Sequence, residues 1–204
     1  MNSTMITGAA HKVSSPYSNI IESIGQILCD ERFPTQQRTA LNRCSLRARS
    51  TSETAGLRVL VEAGAPVETM SSIEMSSWIW LIHCMSLMSA MHRNPHSAAK
   101  QARPGFVLQR IGFSEKRLGR LLDAQGEVFQ KLLENAARSM ASAGTRVNWS
   151  KIAPLVLSVQ PRSLWAENAR IAICRDFLLA SINSSSAEGK TMASVDTLIM
   201  RQVS

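Results

Sequence analysis

The stretch that decides the fold is SEKRLGRLLDAQGEVFQKLLENAARSMASAGTRVNW, residues 114–149. In its first part leucines recur at helical spacing, and the basic residues fall mostly on the opposite side. Its second part carries the broad apolar stripe of a longer amphipathic helix. Ser114 can cap the first helix, Gly126 breaks the pattern, and Gly144 is suited to ending the second helix. The stretch predicts two helices and a turn, with Asn148 placed to cap a third helix.

The rest of the chain favours the same class. At 204 residues it can bury a sizeable core, as one domain or two small lobes. Apolar residues lie mostly at helical spacing, without a convincing run of alternating strand residues. We therefore predict an all-α protein, a compact bundle of about eight to nine helices. The helical domain should cover 16–182, with lobes at about 16–112 and 113–182. We expect 1–15 to be a flexible leader and 183–204 a serine-rich linker and tail.

A predicted helix that follows Ser71 is apolar on nearly every side. Ser71 and Glu74 have the capping-box spacing. A membrane span would need ~20 mostly apolar residues, and Glu74, His83 and repeated serines interrupt this segment. A helix that is apolar all round inside a globular protein lies in the core. We expect it to anchor the N-terminal lobe, with Trp78 and Trp80 packed in the core or an interface rather than stacking on bases.

Four motifs follow one another in a recognisable order. SEKRLGRLL at 114–122 precedes AAR at 136–138, the segment from Gly144 to Ile152 that contains VNW, and RIAICRDF at 170–177. This order resembles the CasB family, the small subunit of the type I-E CRISPR surveillance complex, Cascade. The family's motifs are roughly S-E-R-R-F-x-R-L-L, L-R-R-A-x-x-L, G-x-P-V-D-W-x-x-L and R-x-x-W-A-R-D-[FY]. The resemblance extends over about residues 36 to 180.

The chain departs from the family pattern at the helix that begins with VNW. The family's aspartate before the tryptophan is Asn148 here, and either residue can cap a helix. Pro154 falls inside this helix and should kink it. A later family tryptophan is missing, and Leu157 and Ser158 stand in its place. These differences bear on how the helix packs rather than on the fold class.

The resemblance implies a non-catalytic helical protein that acts as a pair inside a complex wound along CRISPR RNA. Its partners would be CRISPR RNA, target DNA, the displaced non-target strand, the other Cascade subunits and a second copy of itself. No membrane and no cofactor is implied, and the compartment would be the prokaryotic cytoplasm. In such complexes base pairing reads the sequence, while the protein supplies geometry and positive charge.

The charge of the chain is consistent with a polyanionic partner. Its formal net charge is +8 and its isoelectric point is near 9.9. Basic proteins of this size often bind nucleic acid, although lysine and arginine on a helix commonly form only a solvated face. Arg175 falls close to an apolar stripe, so it needs a partner: Asp176, another carboxylate or a phosphate. The predicted nucleic-acid-binding residues are Arg38, Arg43, Arg47, Lys116, Arg117, Arg120, Arg138, Arg170 and Arg175.

No pattern of catalytic or metal-binding residues stands out. The sequence contains no H-E-x-x-H, G-x-S-x-G, phosphate-binding glycine loop or dinucleotide fingerprint. His92 and His96 are four residues apart, but Pro95 lies between them and no third ligand completes a metal set. His83 and Cys84 point to different helix faces, which disfavours a nucleophile pair. We therefore predict a protein that is not an enzyme, with no metal site and with reduced cysteines.

Two other functions stay open at this stage. The helix pair at Leu118–Leu133 could belong to a stand-alone helix-turn-helix regulator of duplex DNA, although the second helix lacks a convincing Asn, Gln or Arg placed to read base edges at its N-terminus. Alternatively, the positive charge could serve a scaffold that meets acidic neighbours.

Overall fold

The computed structural model describes residues 17–43, 49–89, 93–158 and 163–202, and these residues form an all-α bundle. Two short 3-10 helices, Val67–Thr69 and Lys100–Ala102, and an isolated bridge between His96 and Val147 accompany the α-helices. The nine α-helices of the described part are α1 Ser18–Cys29, α2 Thr35–Asn42, α3 Arg49–Glu62, α4 Ser72–Leu87, α5 Pro104–Arg110, α6 Glu115–Asp123, α7 Gly126–Ser142, α8 Trp149–Leu157 and α9 Leu164–Gln202.

Helix α4 is the centre of the bundle, as its apolar composition predicted. Every residue from Trp78 to Ser86 is buried, and the helix packs against α1, α2, α3, α7 and α8. The predicted capping box is present: Ser71 Oγ accepts a hydrogen bond from Glu74 N at 3.2 Å, and Glu74 Oε2 accepts one from Ser71 N at 2.9 Å. Buried residues of 16–112 and of 113–182 belong to one continuous hydrophobic core.

Helices α6 and α7 follow the prediction made for residues 114–149. Ser114 Oγ accepts a hydrogen bond from Arg117 N at 3.3 Å, and α6 buries its three leucines. Helix α7 ends before Gly144, whose φ of 61° is in the left-handed region that favours glycine. One stripe residue differs from expectation, since Val128 is 64% exposed. It lies in the first turn of α7 outside the buried face, whereas its neighbour Phe129 is part of the core.

Three helix starts differ from their local sequence signals. Ser52 is of a residue type that favours an N-cap and predicts a helix start, but α3 begins at Arg49 and Ser52 is buried within it. Residues 93–105 are not entirely loop, because Pro104 opens α5 as its first residue, where a missing N–H costs nothing. Asn148 occupies the N-cap position of α8 but makes no side-chain cap hydrogen bond.

The C-terminal region also differs from its prediction. Helix α9 runs from Leu164 to Gln202, through the residues expected to form a serine-rich linker. Residues 183–202 contain no proline and only Gly189 as a strong helix breaker, so serine's moderate propensity does not stop the helix. The predicted leader and the Pro161-Arg162 helix start lie outside the described residues. None of the helices in the described part combines the length and apolar character needed to cross a bilayer.

Candidate nucleic-acid interface

Arg38, a predicted contact residue, is held by hydrogen bonds inside the fold. Its Nη1 donates to Leu28 O at 2.6 Å and its Nη2 donates to Asp30 O at 3.2 Å. The guanidinium also lies over the Phe33 ring, 5.3 Å from the centroid. These acceptors are carbonyls at the end of α1, which the helix itself leaves without partners. Arg38 therefore attaches α2 to the end of α1 and is poorly placed for the predicted phosphate contact.

Arg170 has a similar position at the end of α6. Its Nε donates to Leu122 O at 2.8 Å, and its Nη1 donates to Glu167 Oε1 at 2.7 Å. The side chain is only 17% exposed. This arginine links α9 to the C-terminus of α6, so its charge is directed inward rather than towards a ligand.

The basic residues of α6 point away from the fold, unlike Arg38 and Arg170. Lys116, Arg117 and Arg120 are exposed, while the leucines on the other side of the same helix are buried. The Arg117 guanidinium lies 4.5 Å from the centroid of the Phe113 ring. None of the three cations forms an ion pair with a carboxylate of the described residues. We call Lys116, Arg117 and Arg120 the α6 cations.

Arg138 and Arg43 are exposed at other points of the surface. Arg138 Nη2 is 2.6 Å from Glu134 Oε1, one helical turn away, so part of its charge is neutralised, although its side chain is 54% exposed. The same Glu134 oxygen lies 3.9 Å from Nε2 of the buried His83. Arg43 is exposed at the C-terminal end of α2. Arg47 lies outside the described residues.

A groove between α5, α8 and α9 gathers basic residues that the sequence did not associate. Its volume is about 410 Å³. Of the predicted residues it contains only Arg175. The other cations that line it, Arg103 and Lys151, come from the ends of different helices. The lining residues with a chemical role are Arg103, Ser150, Lys151, Trp165, Arg175 and Asp176.

The charges of the groove are arranged around one carboxylate. Asp176 is buried, with its side chain 6% exposed, and its Oδ1 lies 3.4 Å from Arg103 Nη1 and 3.4 Å from Arg175 Nη2. Arg175 remains 61% exposed. Three cations against one carboxylate leave two positive charges in excess. Asp176 can thus orient both guanidinium groups without neutralising the groove.

The start of α8 is held beside the groove by contacts between residues that are far apart in sequence. His96 Nδ1 accepts a hydrogen bond from Trp149 N at 3.2 Å, the kind of contact expected from a cap residue. Val147 N, two residues before α8, donates to Pro95 O at 3.2 Å, and this hydrogen bond holds the residues that lead into the helix. Burial lowers the pKa of His96, so its ring is neutral at pH 7 and Nδ1 can accept. This arrangement places Ser150 and Lys151 at the groove.

The groove leaves a trace in the sequence of α9. Trp165, Ala169, Ala172 and Asp176 follow one another at spacings of four, three and four residues, on one face of the helix. Two small residues between a tryptophan and an aspartate leave room where a core helix would have large side chains. That pattern could have indicated a hollow on α9, but not that Arg103 and Lys151 would line it.

Comparison with known proteins does not assign a function to these surfaces. No family model matches it, and no curated protein or solved structure is significantly similar to it. The CasB resemblance therefore depends on the motifs quoted above, and the geometry of the basic residues is independent of it.

Proposed function

We propose that the chain is a non-catalytic, CasB-like subunit of a type I-E CRISPR RNA-guided surveillance complex. In this role it binds nucleic-acid backbone and stabilises the guide–target duplex and the displaced DNA strand. The chemistry asked of the protein is electrostatic, since base pairing with the guide supplies sequence recognition. The motif order supports the choice of complex, and the surface of α6 supports the mode of binding.

The observation that carries the proposal is the exposure of the α6 cations. Lys116, Arg117 and Arg120 project from one short helix whose other face is fixed in the core. A phosphate backbone that runs along α6 could be neutralised at successive positions without reordering the protein. The contrast with Arg38 and Arg170 is informative, because those arginines already satisfy carbonyls of the fold.

The contacts between the protein and the nucleic-acid backbone are expected to contribute little free energy, but enough to decide whether the DNA strands stay open. Exchange of a DNA duplex for a guide–target duplex is nearly balanced, so a few kcal/mol of backbone contacts can decide whether the strands stay open. If about four cations each neutralise one phosphate of a single strand, log affinity should fall with log salt concentration at a slope of about −3. A protein with this role needs no base-reading helix.

The test compares two variants of equal net charge. One carries Lys116→Gln, Arg117→Gln and Arg120→Gln. The other carries Arg32→Gln, Arg58→Gln and Arg110→Gln, which are exposed arginines outside α6. We expect the first variant to bind single-stranded DNA more weakly, with a salt slope smaller by about 2, and to shorten R-loop lifetime in the reconstituted complex. The second should retain most of both properties.

Equal losses in the two variants would show that only total charge matters and would refute a backbone site on α6. Circular dichroism and thermal unfolding of both variants check that the fold is retained, which is expected because all six side chains are exposed.

The helix-turn-helix alternative has weaker support from the geometry. A recognition helix presents base-reading side chains in its first turns. The exposed residues in the first turn of α7 are instead Gly126, Glu127 and Val128, and Gln125 at the N-cap is the one exposed side chain there of a base-reading type. Gel shifts with several duplex sequences distinguish the two functions, because a regulator prefers one sequence and a backbone-binding subunit does not.

A further inference from the structure

We propose that the groove between α5, α8 and α9 binds one nucleotide of a single strand, with its base on Trp165 and its phosphate on Arg103, Lys151 and Arg175. The choice of nucleic acid as ligand rests on the proposed function. This subsite would contact the base by stacking, in addition to the electrostatic contacts of the proposed function with the phosphate backbone.

The groove has the size and the shape for such a ligand. Its volume of about 410 Å³ lies within the ~300–1,000 Å³ of small-molecule pockets. Ala169 and Ala172 form its floor on α9, and Pro154 borders it on α8. The groove thus combines an apolar lining with cations, which suits a flat base joined to a charged phosphate.

The arginines of the groove lie beside Asp176 and keep hydrogen-bond donors available. Asp176 Oδ1 is 3.4 Å from a nitrogen of each guanidinium, a distance too long for a strong ion pair, so each retains N–H groups for another acceptor. Arginine donates to phosphate in a bidentate manner. If these residues served only to neutralise Asp176, one cation would be enough, whereas three line the groove.

Trp165 is the aromatic residue suited to stacking. All four tryptophans of the chain lie in described residues, and Trp78, Trp80 and Trp149 are buried. Trp165 is partly exposed and lines the groove. The Tyr17 ring packs beside it at a centroid distance of 5.7 Å and helps to hold its orientation. Stacking of a base on such a platform tolerates any base, which fits a subunit that does not read sequence.

Because the other three tryptophans are buried, fluorescence quenching reports mainly on Trp165. The experiment titrates the full chain with oligothymidylate, oligouridylate, an abasic oligodeoxynucleotide of equal length and free dTMP. We expect saturable quenching by the first two and by dTMP, none by the abasic strand, and none in Trp165→Phe with any of them. The two oligonucleotides show whether the groove prefers DNA or RNA.

Binding measured in parallel by fluorescence anisotropy adds a second readout. Trp165→Ala should weaken oligothymidylate binding about tenfold and leave abasic-strand binding unchanged. The unchanged binding of the abasic strand also shows that the variant is folded. Arg103→Gln should weaken dTMP binding, while Arg32→Gln, an exposed arginine outside the groove, should not.

The outcomes separate this proposal from the proposed function. If oligothymidylate binds by anisotropy but neither it nor dTMP quenches Trp165, the subsite is refuted and backbone binding stands. If dTMP quenches Trp165 but no strand binds, the subsite is supported and the backbone function fails. If no ligand binds or quenches, both proposals are refuted.

Discussion

Replacing Gly105 with alanine gives a direct test of how the groove is built. Gly105 lies in the first turn of α5, where that helix crosses α9. A Cβ atom there would meet Ile173 O and would lie 2.5 Å from Phe177 N and 2.9 Å from the Asp176 carbonyl carbon. All three are backbone atoms of α9, so no side-chain rotation can make room. The two helices must move apart.

The size of the effect follows from these distances. To bring the nearest contacts to an ordinary van der Waals separation, the helices must separate by about 1 Å, and a gap of that size forfeits roughly a quarter to a half of each contact's dispersion energy. Overpacking of this kind typically costs about 1–3 kcal/mol. Alanine's better helix propensity offsets up to about 1 kcal/mol. We expect Gly105→Ala to lower the free energy of unfolding by about 1–2 kcal/mol, or the Tm by about 2–8 °C.

Gly119 provides the matched control. It also lies inside a helix, α6, but a Cβ added there meets no atom within 4 Å. The same substitution should therefore stabilise the protein by about 0.5–1 kcal/mol. Urea unfolding followed by circular dichroism measures both variants. If Gly105→Ala is as stable as the wild type, or both variants change in the same direction, then α5 and α9 are not in the close contact on which the groove depends.

Two other stability predictions follow. Arg38→Ala removes the side-chain donor to Leu28 O and one of two donors to Asp30 O, which also accepts from Phe33 N, and should lower the free energy of unfolding by about 1–2 kcal/mol. The exposed Arg43→Ala should change it by less than about 0.5 kcal/mol in urea unfolding. Burial lowers the pKa of both His83 and His96, so the unfolded chain takes up protons first as the pH falls. Stability should be complete above pH ~6.5 and decline below it by at most about 1.4 kcal/mol per pH unit for each histidine. His96→Asn keeps an acceptor near Trp149 N and should reduce that slope in unfolding curves recorded across this range; an unchanged slope would contradict the assignment.

The parts of the fold that the sequence predicted correctly depend on neighbours along the chain. The capping box at Ser71, the leucine face of α6 and the end of α7 before Gly144 are each decided within a few residues. The all-round apolar composition of α4 similarly indicates burial whatever the partner helices are. In these segments local preference and tertiary packing favour the same structure.

The missed contacts of Arg38, of the start of α8 and of the groove depend on residues far apart in sequence. The cap of α8 comes from His96, about fifty residues before it, so the pattern around Asn148 could not reveal it. Arg38 and Arg43 look alike in sequence, and only the position of α1 shows that one of them satisfies carbonyls. The groove combines three separate segments, each of which contributes a single cation. The composition gives the number of basic residues in the chain, but it does not show which of them line the groove.

The distinction between internal and exposed arginines bears on how the positive charge should be interpreted. A net charge of +8 predicts affinity for polyanions, but it does not say which guanidinium groups are available. Arg38 and Arg170 donate to main-chain carbonyls, so removing them should weaken nucleic-acid binding only as far as it weakens the fold. The α6 cations and Lys151 form no ion pair with a carboxylate of the described residues, so they can lose charge without loss of stability, whereas Arg103 and Arg175 also stabilise the buried Asp176. A binding defect that appears without a shift in Tm would therefore identify a contact residue, and one that scales with the shift would identify a structural residue.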